Sequence, residues 1–175
     1  MKYYWKYFKS VLQHKYYVFV AGAALNVPIW RLVVHDWQKF SPYEFGAYAR
    51  KFAMLPNEKH SMAKWQISDI EQEFTYAWLH HENTAPHHWG YWIPRSGNHT
   101  GRPLEMPETY VREMIADWMG ASKAYTGNWD MVEWLNTQNE NKTWGNMHTD
   151  TFYLIVQLLY DLGYGRTKEG KFYLK

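Results

Sequence analysis

Cysteine is absent from all 175 residues, which excludes disulfides, thiolate metal ligands and cysteine nucleophiles. A marked excess of charge of one sign is absent too. Nineteen basic residues stand against 17 acidic ones, a formal net charge of +2 with no broad basic stripe, so a nucleic-acid partner is not expected. No long hydrophobic run occurs. The nearest, Tyr16 to Val34, is interrupted by Asn26, Pro28 and Arg31 and closed by His35-Asp36. A spanning helix needs about 20 mostly apolar residues, so no membrane partner is expected. The N-terminus opens charged and aromatic, unlike a signal peptide, and the expected compartment is the cytoplasm.

What the chain has in excess is aromatic: 11 Trp, 15 Tyr and 8 Phe, together 19% of the residues. Such side chains fill cores, and Tyr and Trp also line pockets and can stack on a nucleobase. Lys2, Lys6, Lys9 and Lys15 interleave with aromatics at the start of the chain, as on an ordinary amphipathic helix. The aromatics there leave a homodimer open.

Helical signals dominate, and the length suits one domain. From Lys2 to about Leu25 the row Tyr4, Phe8, Leu12, Tyr16, Phe19 and Ala23 describes one face, with His14 off that row. The small residues Ala21 to Ala24 would admit a neighbouring helix. A short helix over about Pro28–Lys39 carries His35-Asp36 near its end. Ser41-Pro42-Tyr43-Glu44 reads as a capping box opening a helix to about Met54, and Leu55 to Glu58 as a loop. Ser68 opens a helix reaching about His81. From Glu82 to Met106, Pro86, Gly90, Pro94, Gly97, Gly101 and Pro103 forbid a regular helix; so long a loop is commonly functional. Helices follow over about Pro107–Lys123, Trp129–Thr137 and His148–Leu162, the last closed by a glycine at 163. The fold class expected is all-α, a single-domain bundle of six or seven helices with a long irregular loop around 82–106.

The chemistry lies in an ordered set of nitrogen and oxygen donors: His14, His35-Asp36, His80-His81 and Asp117. These suit a hard-to-borderline divalent metal, and without thiolates a closed structural zinc site is disfavoured. Adjacent residues on a helix diverge by about 100°, so His35 and Asp36 share an ion only where the helix ends or unwinds. Glu113 and Asp117 are four apart and can face one way. Asp117 is the better ligand candidate, and Glu113 could orient a ligating histidine. His80-His81-Glu82 followed by His87-His88 places four imidazoles within nine residues.

The order H…HD…D across separate helices resembles the HD-domain superfamily of metal-dependent phosphohydrolases, over roughly residues 10 to 125. The resemblance implies an HD-like helical domain in which His14, His35, Asp36 and Asp117 form the primary metal site. It also implies that histidines between the HD pair and the last aspartate, here His80 and His81, bind a second ion. The pattern HDxxKF at His35–Phe40, AWxHH at Ala77–His81 and EMxxDW at Glu113–Trp118 is similar to a phage and bacterial family of unassigned function. That likeness narrows the compartment to a bacterial cell or a phage-infected host. HDxxK also resembles phosphohydrolases in which the lysine faces phosphate, a role that would fall to Lys39. A faint likeness of His80-His81-Glu82 and Gly90-Tyr91 to the cyclic-dinucleotide phosphodiesterases fails at Trp92 and in its spacing.

The expected function is a divalent-metal-dependent phosphohydrolase, with one or two ions of Mn, Co, Mg, Fe, Ni or Zn. Its substrate is expected to be a nucleotide or related small phosphate ester. Asp36, Lys39, His81 and Glu82 are the expected catalytic residues. His14, His35, Asp36, His80 and Asp117 are the expected ligands, and Glu113, His87, His88, Trp37 and Trp78 would support them or touch substrate. Trp89, Tyr91 and Trp92 extend the aromatic supply for stacking. Two other classes compete: a non-enzymatic nucleotide-binding or inhibitory protein, and a di-iron oxygenase on the same scaffold.

Overall fold

Helix α1 (Lys2–Ala24) buries Tyr7, Val11, His14, Val18, Ala21 and Gly22, a stripe repeating every three or four residues. That is not the face expected from the sequence: Leu12, Tyr16 and Phe19 are exposed. Around Val18, Ala21 and Gly22 the neighbouring helices come too close for bulky aromatics, so aromatic bulk was a poor guide there. The structure, a computed structural model, describes residues 2–55 and 59–175. The loop expected at Leu55–Glu58 therefore falls largely outside the described residues.

A tight turn with Asn26 at φ 58° leads to α2 (Ile29–Val34). A Cβ on Gly22 would sit 2.3 Å from Leu32 Cδ2, so α2 packs on α1 through that glycine. The helix expected to run to Lys39 stops five residues earlier. His35 is extended and Asp36 is left-handed (φ 55°, ψ 23°), after which Trp37–Phe40 form a 3-10 turn. Lys15 of α1 donates to the backbone carbonyls of Val33 (3.2 Å) and His35, which satisfies the open end of α2.

Helix α3 (Phe45–Tyr48) continues as a π-helical turn over Ala49–Ala53. The expected capping box does not form. The Ser41 hydroxyl has no hydrogen-bond partner among the described residues, the Ser41 carbonyl accepts from the Glu44 and Phe45 amides, and the Glu44 side chain turns into the interior. Helix α4 (Lys64–Thr84) begins four residues before the expected Ser68, with Gln66 Oε1 accepting from the Ala63 amide at 2.9 Å. The irregular stretch beyond it holds one 3-10 turn, Trp89–Trp92.

Helices α5 (Glu108–Thr126), α6 (Val132–Glu140) and α7 (Thr149–Asp161) complete the bundle. A small antiparallel hairpin, β1 (Tyr164–Arg166) with β2 (Phe172–Leu174), follows, an element the sequence reading did not include. The fold is otherwise all-α. No helix among the described residues is long and apolar enough to cross a membrane.

Two apolar clusters share α1. One joins its C-terminal half (Val18, Ala21) to α5, α6 and α7. The other joins its N-terminal half (Tyr7, Val11) to Ala47, Tyr48, Ala49, Ala53 and Ala77. His14 lies between Val11 and Val18, at the seam of the two. There α1 and α5 touch most closely: a Cβ on Gly120 would lie 2.7 Å from the Val18 backbone nitrogen. Gly120 is one turn beyond Asp117 and Val18 one turn beyond His14, so this approach carries the two polar side chains together.

Candidate metal centre

His14, His35, Asp36 and Asp117 arrive from three elements and meet in the seam, all buried. His14 Nε2 lies 2.9 Å from Asp117 Oδ1 and 3.3 Å from Asp36 Oδ2. His35 Nε2 lies 3.4 and 3.5 Å from the same two oxygens. The break after Val34 makes this possible, since a continuing helix would have splayed His35 from Asp36. Left-handed backbone is strained for a residue with a Cβ, and such strain concentrates at functional sites.

The other oxygen of Asp36 faces a second set of imidazoles. Asp36 Oδ1 is 3.3 Å from His81 Nε2 and 3.4 Å from His87 Nε2, while His88 Nε2 is 3.0 Å from His81 Nε2. Asp36, His81, His87 and His88 thus form a group with ligand atoms mutually within 4.8 Å, as do His14, His35, Asp36 and Asp117. The triplet His35, His87 and Glu113 meets the same criterion. Asp36 is common to the first two groups and offers one oxygen to each.

A cation fits these residues on their own chemistry. His14 Nε2, Asp36 Oδ1 and His87 Nε2 are buried with no hydrogen-bond partner among the described residues. Each buried polar atom left unsatisfied costs about 1–3 kcal/mol, and an ion in each of the two Asp36 groups would between them engage all three. Nitrogen and carboxylate oxygen at four donors per group is a donor set for borderline divalent metals.

Carboxylates behind the rings fix their orientation. Glu113 Oε1 is 3.0 Å from His35 Nδ1 and 3.6 Å from His87 Nδ1, one ring from each group. Its Oε2 accepts from Arg31 Nε at 2.8 Å, and that guanidinium lies 3.9 Å from the Tyr110 ring centre. Fully buried Glu44 spends its two oxygens on adjacent histidines, His80 Nδ1 at 2.7 Å and His81 Nδ1 at 3.0 Å.

The electrostatics follow from this crowding. Burial alone would raise the Asp36 carboxyl, but His35, Lys39 and His81 hold it well below the ordinary range. Burial opposes the charged form of His35, yet Asp36 and the contacts with Asp117 and Glu113 raise it to about 9. Burial, joined by the neighbouring His35 at His87 and by His87 at His88, lowers both of those rings, which keeps their lone pairs free for an ion. Lys39 ion-pairs with Asp36 Oδ2. Burial raises Glu82, against Arg95 and His81.

The sequence-derived candidates divide accordingly. His14, His35, Asp36 and Asp117 converge, and His81 stands beside them. His80, expected as a ligand, instead pairs with Glu44 and stacks on Tyr43 (ring centres 5.3 Å apart), outside every ligand group. It sits one position off the buried stripe Ile70, Ala77, His81 of α4. His87 and His88, expected in supporting or substrate-contacting roles, instead join Asp36 and His81 in a group that could hold an ion. Trp37 is 67% exposed and lines none of the cavities beside the centre, whereas Trp78 packs against His88 (5.3 Å) and lines the two larger of them. Glu44, Arg31 and Lys15 were not anticipated, because each works through a distant contact that no spacing reveals.

Two cavities of similar size flank the centre, beside a smaller one of about 180 Å³ lined by Arg31, His35, Asp36, His87 and Glu113 among others. One, of about 540 Å³, is walled by tryptophans of α4, α5 and α6 and reaches Asp117, His88 and Glu82. The other, of about 530 Å³, reaches His14 and Lys39. The comparison with protein families decides the lineage: a family of unknown function, DUF5662, matches residues 3–160. The chain belongs to DUF5662. No curated protein and no solved structure matches this DUF5662 member.

Proposed function

We propose that this protein is a divalent-metal-dependent phosphohydrolase acting on a nucleotide or related small phosphate ester. The observation that carries the proposal is the position of Asp36 between two histidine groups, one carboxylate oxygen directed to each. On this reading two ions bind. His14, His35, Asp36 and Asp117 would hold one; Asp36, His81, His87 and His88 would hold the other. Mn, Fe, Co, Ni or Zn suits donor sets so rich in imidazole, Mg less so. A bound divalent ion lowers the pKa of water from ~15.7 towards ~7 and neutralises charge on phosphoryl oxygens.

The chain's own residues do the rest. Lys39, buried beside Asp36, brings a fixed positive charge to the side of the centre that faces the second cavity. Glu82, with its carboxyl raised by burial, lines the first cavity next to His88 and is placed to protonate a leaving alkoxide. In balance, water loses one proton to solvent as its oxygen bonds to phosphorus, the ester P–O bond breaks, Glu82 gives its proton to the departing alkoxide, and solvent reprotonates Glu82. Trp78 shields the rings and limits competing water.

The test is a screen of nucleotides and other phosphate esters with Mn, Co, Mg and Fe, read as phosphate release. Asp36→Ala should abolish both metal content and turnover; turnover retained without the carboxylate would refute the reading. A second reading, a di-iron oxygenase, draws on the three imidazoles and one carboxylate of the His81 group, which suit iron. An iron-dependent visible absorption after aerobic purification, with oxygen consumption and no phosphate release, would favour it.

A further inference from the structure

We infer that the cavity beside Asp117 and His88 is a recognition pocket for the flat, uncharged ring of a nucleoside monophosphate, and that it discriminates against nucleoside di- and triphosphates. The inference rests on the phosphohydrolase reading and names the substrate class of that site.

Size is the first observation. At about 540 Å³ the cavity lies within the range of roughly 300–1,000 Å³ found for small-molecule sites, ample for a nucleoside. Its walls are the second. Trp118 and Trp134 stand 4.8 Å apart between ring centres, and Trp118 and Trp144 6.0 Å apart. These indoles offer faces and edges for stacking, which tolerates any base because every base has a π-face. Ala121, one turn beyond Asp117 on α5, keeps the space above that carboxylate open.

Charge is the third observation and sets the phosphate count. Glu82 and Asp117 are the carboxylates lining this cavity, and no lysine or arginine lines it among the described residues. Lys6 and Lys39 line the other cavity, across the centre. A single phosphate is therefore matched at the metal end, while further phosphates would enter a cavity whose walls present carboxylates and indoles and no lysine or arginine among the described residues.

A polar handle sits at the far wall. Thr143 Oγ1 donates to Gln138 Oε1 at 3.0 Å, which pins the amide and leaves its nitrogen to donate to a ring acceptor. A half-buried amide donor held this way would favour rings that carry an acceptor over analogues that lack one.

The test measures binding as well as turnover. Calorimetry and tryptophan fluorescence would be followed on metal-free and manganese-loaded protein. The titrants are the four common nucleosides, their 5′-monophosphates and triphosphates, and ribose 5-phosphate. At least one nucleoside should bind metal-free protein, and its monophosphate should bind the manganese form at least tenfold tighter than either the triphosphate or ribose 5-phosphate. Trp134→Ala, Gln138→Ala and the cavity-filling Ala121→Leu should each weaken that monophosphate by about tenfold, leaving metal content and ribose 5-phosphate affinity unchanged. Ribose 5-phosphate or triphosphate binding as tightly as the monophosphate would overturn the inference, as would three variants with unaltered affinity. Monophosphate binding without phosphate release would instead refute the hydrolase reading alone. Phosphate release indifferent to Trp134→Ala, Gln138→Ala and Ala121→Leu would refute the pocket and leave the hydrolase.

Discussion

Replacing Glu44 with glutamine should damage one half of the metal centre without touching a ligand. Both oxygens of Glu44 accept from Nδ1 of a histidine, 2.7 Å to His80 and 3.0 Å to His81. A proton on Nδ1 of His81 leaves the lone pair on Nε2, the atom that faces Asp36 Oδ1 at 3.3 Å. An amide supplies one acceptor instead of two. His80 is half-exposed and can turn to water, but buried His81 cannot. If the amide nitrogen meets His81, the ring loses its acceptor and favours a proton on Nε2, where the ion must bind. Hydrogen bonds to charged groups contribute about 1.5–3 kcal/mol. Loss of an orienting carboxylate typically costs about 10–100-fold in metal affinity, or about 1.4–2.8 kcal/mol, so the two scales agree. A two-site calorimetric titration should show the loss at one ion only, with far-ultraviolet dichroism unchanged. Wild-type affinity at both sites would refute the reasoning, since the buried carboxylate would then have no role in setting the ring.

Further outcomes are expected from other substitutions and from pH. Glu113→Gln, which faces His35 and His87, should weaken both ions in the same titration, unlike Glu44→Gln. Gly120→Ala presses a methyl on the Val18 backbone at 2.7 Å, so overpacking of about 1–3 kcal/mol should lower the melting temperature and separate His14 from Asp117. In the metal-free protein His35 is raised from 6.5 to about 9, so its protonation contributes stability that is full below pH 6.5 and lost as pH rises through 9. Metal must displace that proton, so apparent affinity should strengthen with pH across the same window, with proton release seen in weakly buffered titrations. Glu82→Gln should reduce hydrolysis of alkyl phosphates by about 10²–10⁴, yet spare p-nitrophenyl phosphate, whose leaving group needs no acid.

The convergence of His14, His35, Asp36 and Asp117 was legible because their order survives in sequence: a histidine on one helix, an adjacent pair at a helix end, an aspartate on a late helix. The choice between His80 and His81 needed the buried face of α4. The stripe through Ile70 and Ala77 carries that signal and selects His81. His87 and His88 lie in a stretch ruled by proline and glycine, where no period assigns a direction. Glu44 looked like a helix cap because Ser41-Pro42 precedes it, and only tertiary contact turns it inward. The face of α1 was misjudged for a related reason. Aromatic bulk suggested the core, yet the close approach at Gly120 and Gly22 selects the slimmer stripe that carries His14.

The central claim is that the Asp36 carboxylate joins two metal positions. Anomalous diffraction from manganese-loaded crystals, with elemental analysis of the same protein, tests it most directly. Asp36→Asn is the matched control, since asparagine tolerates the left-handed backbone at this position. Wild type should show two ions per chain, one against each carboxylate oxygen, and the asparagine variant should fold but lose both. No stoichiometric metal in wild type, or a single ion with His81, His87 and His88 left without one, would contradict the account.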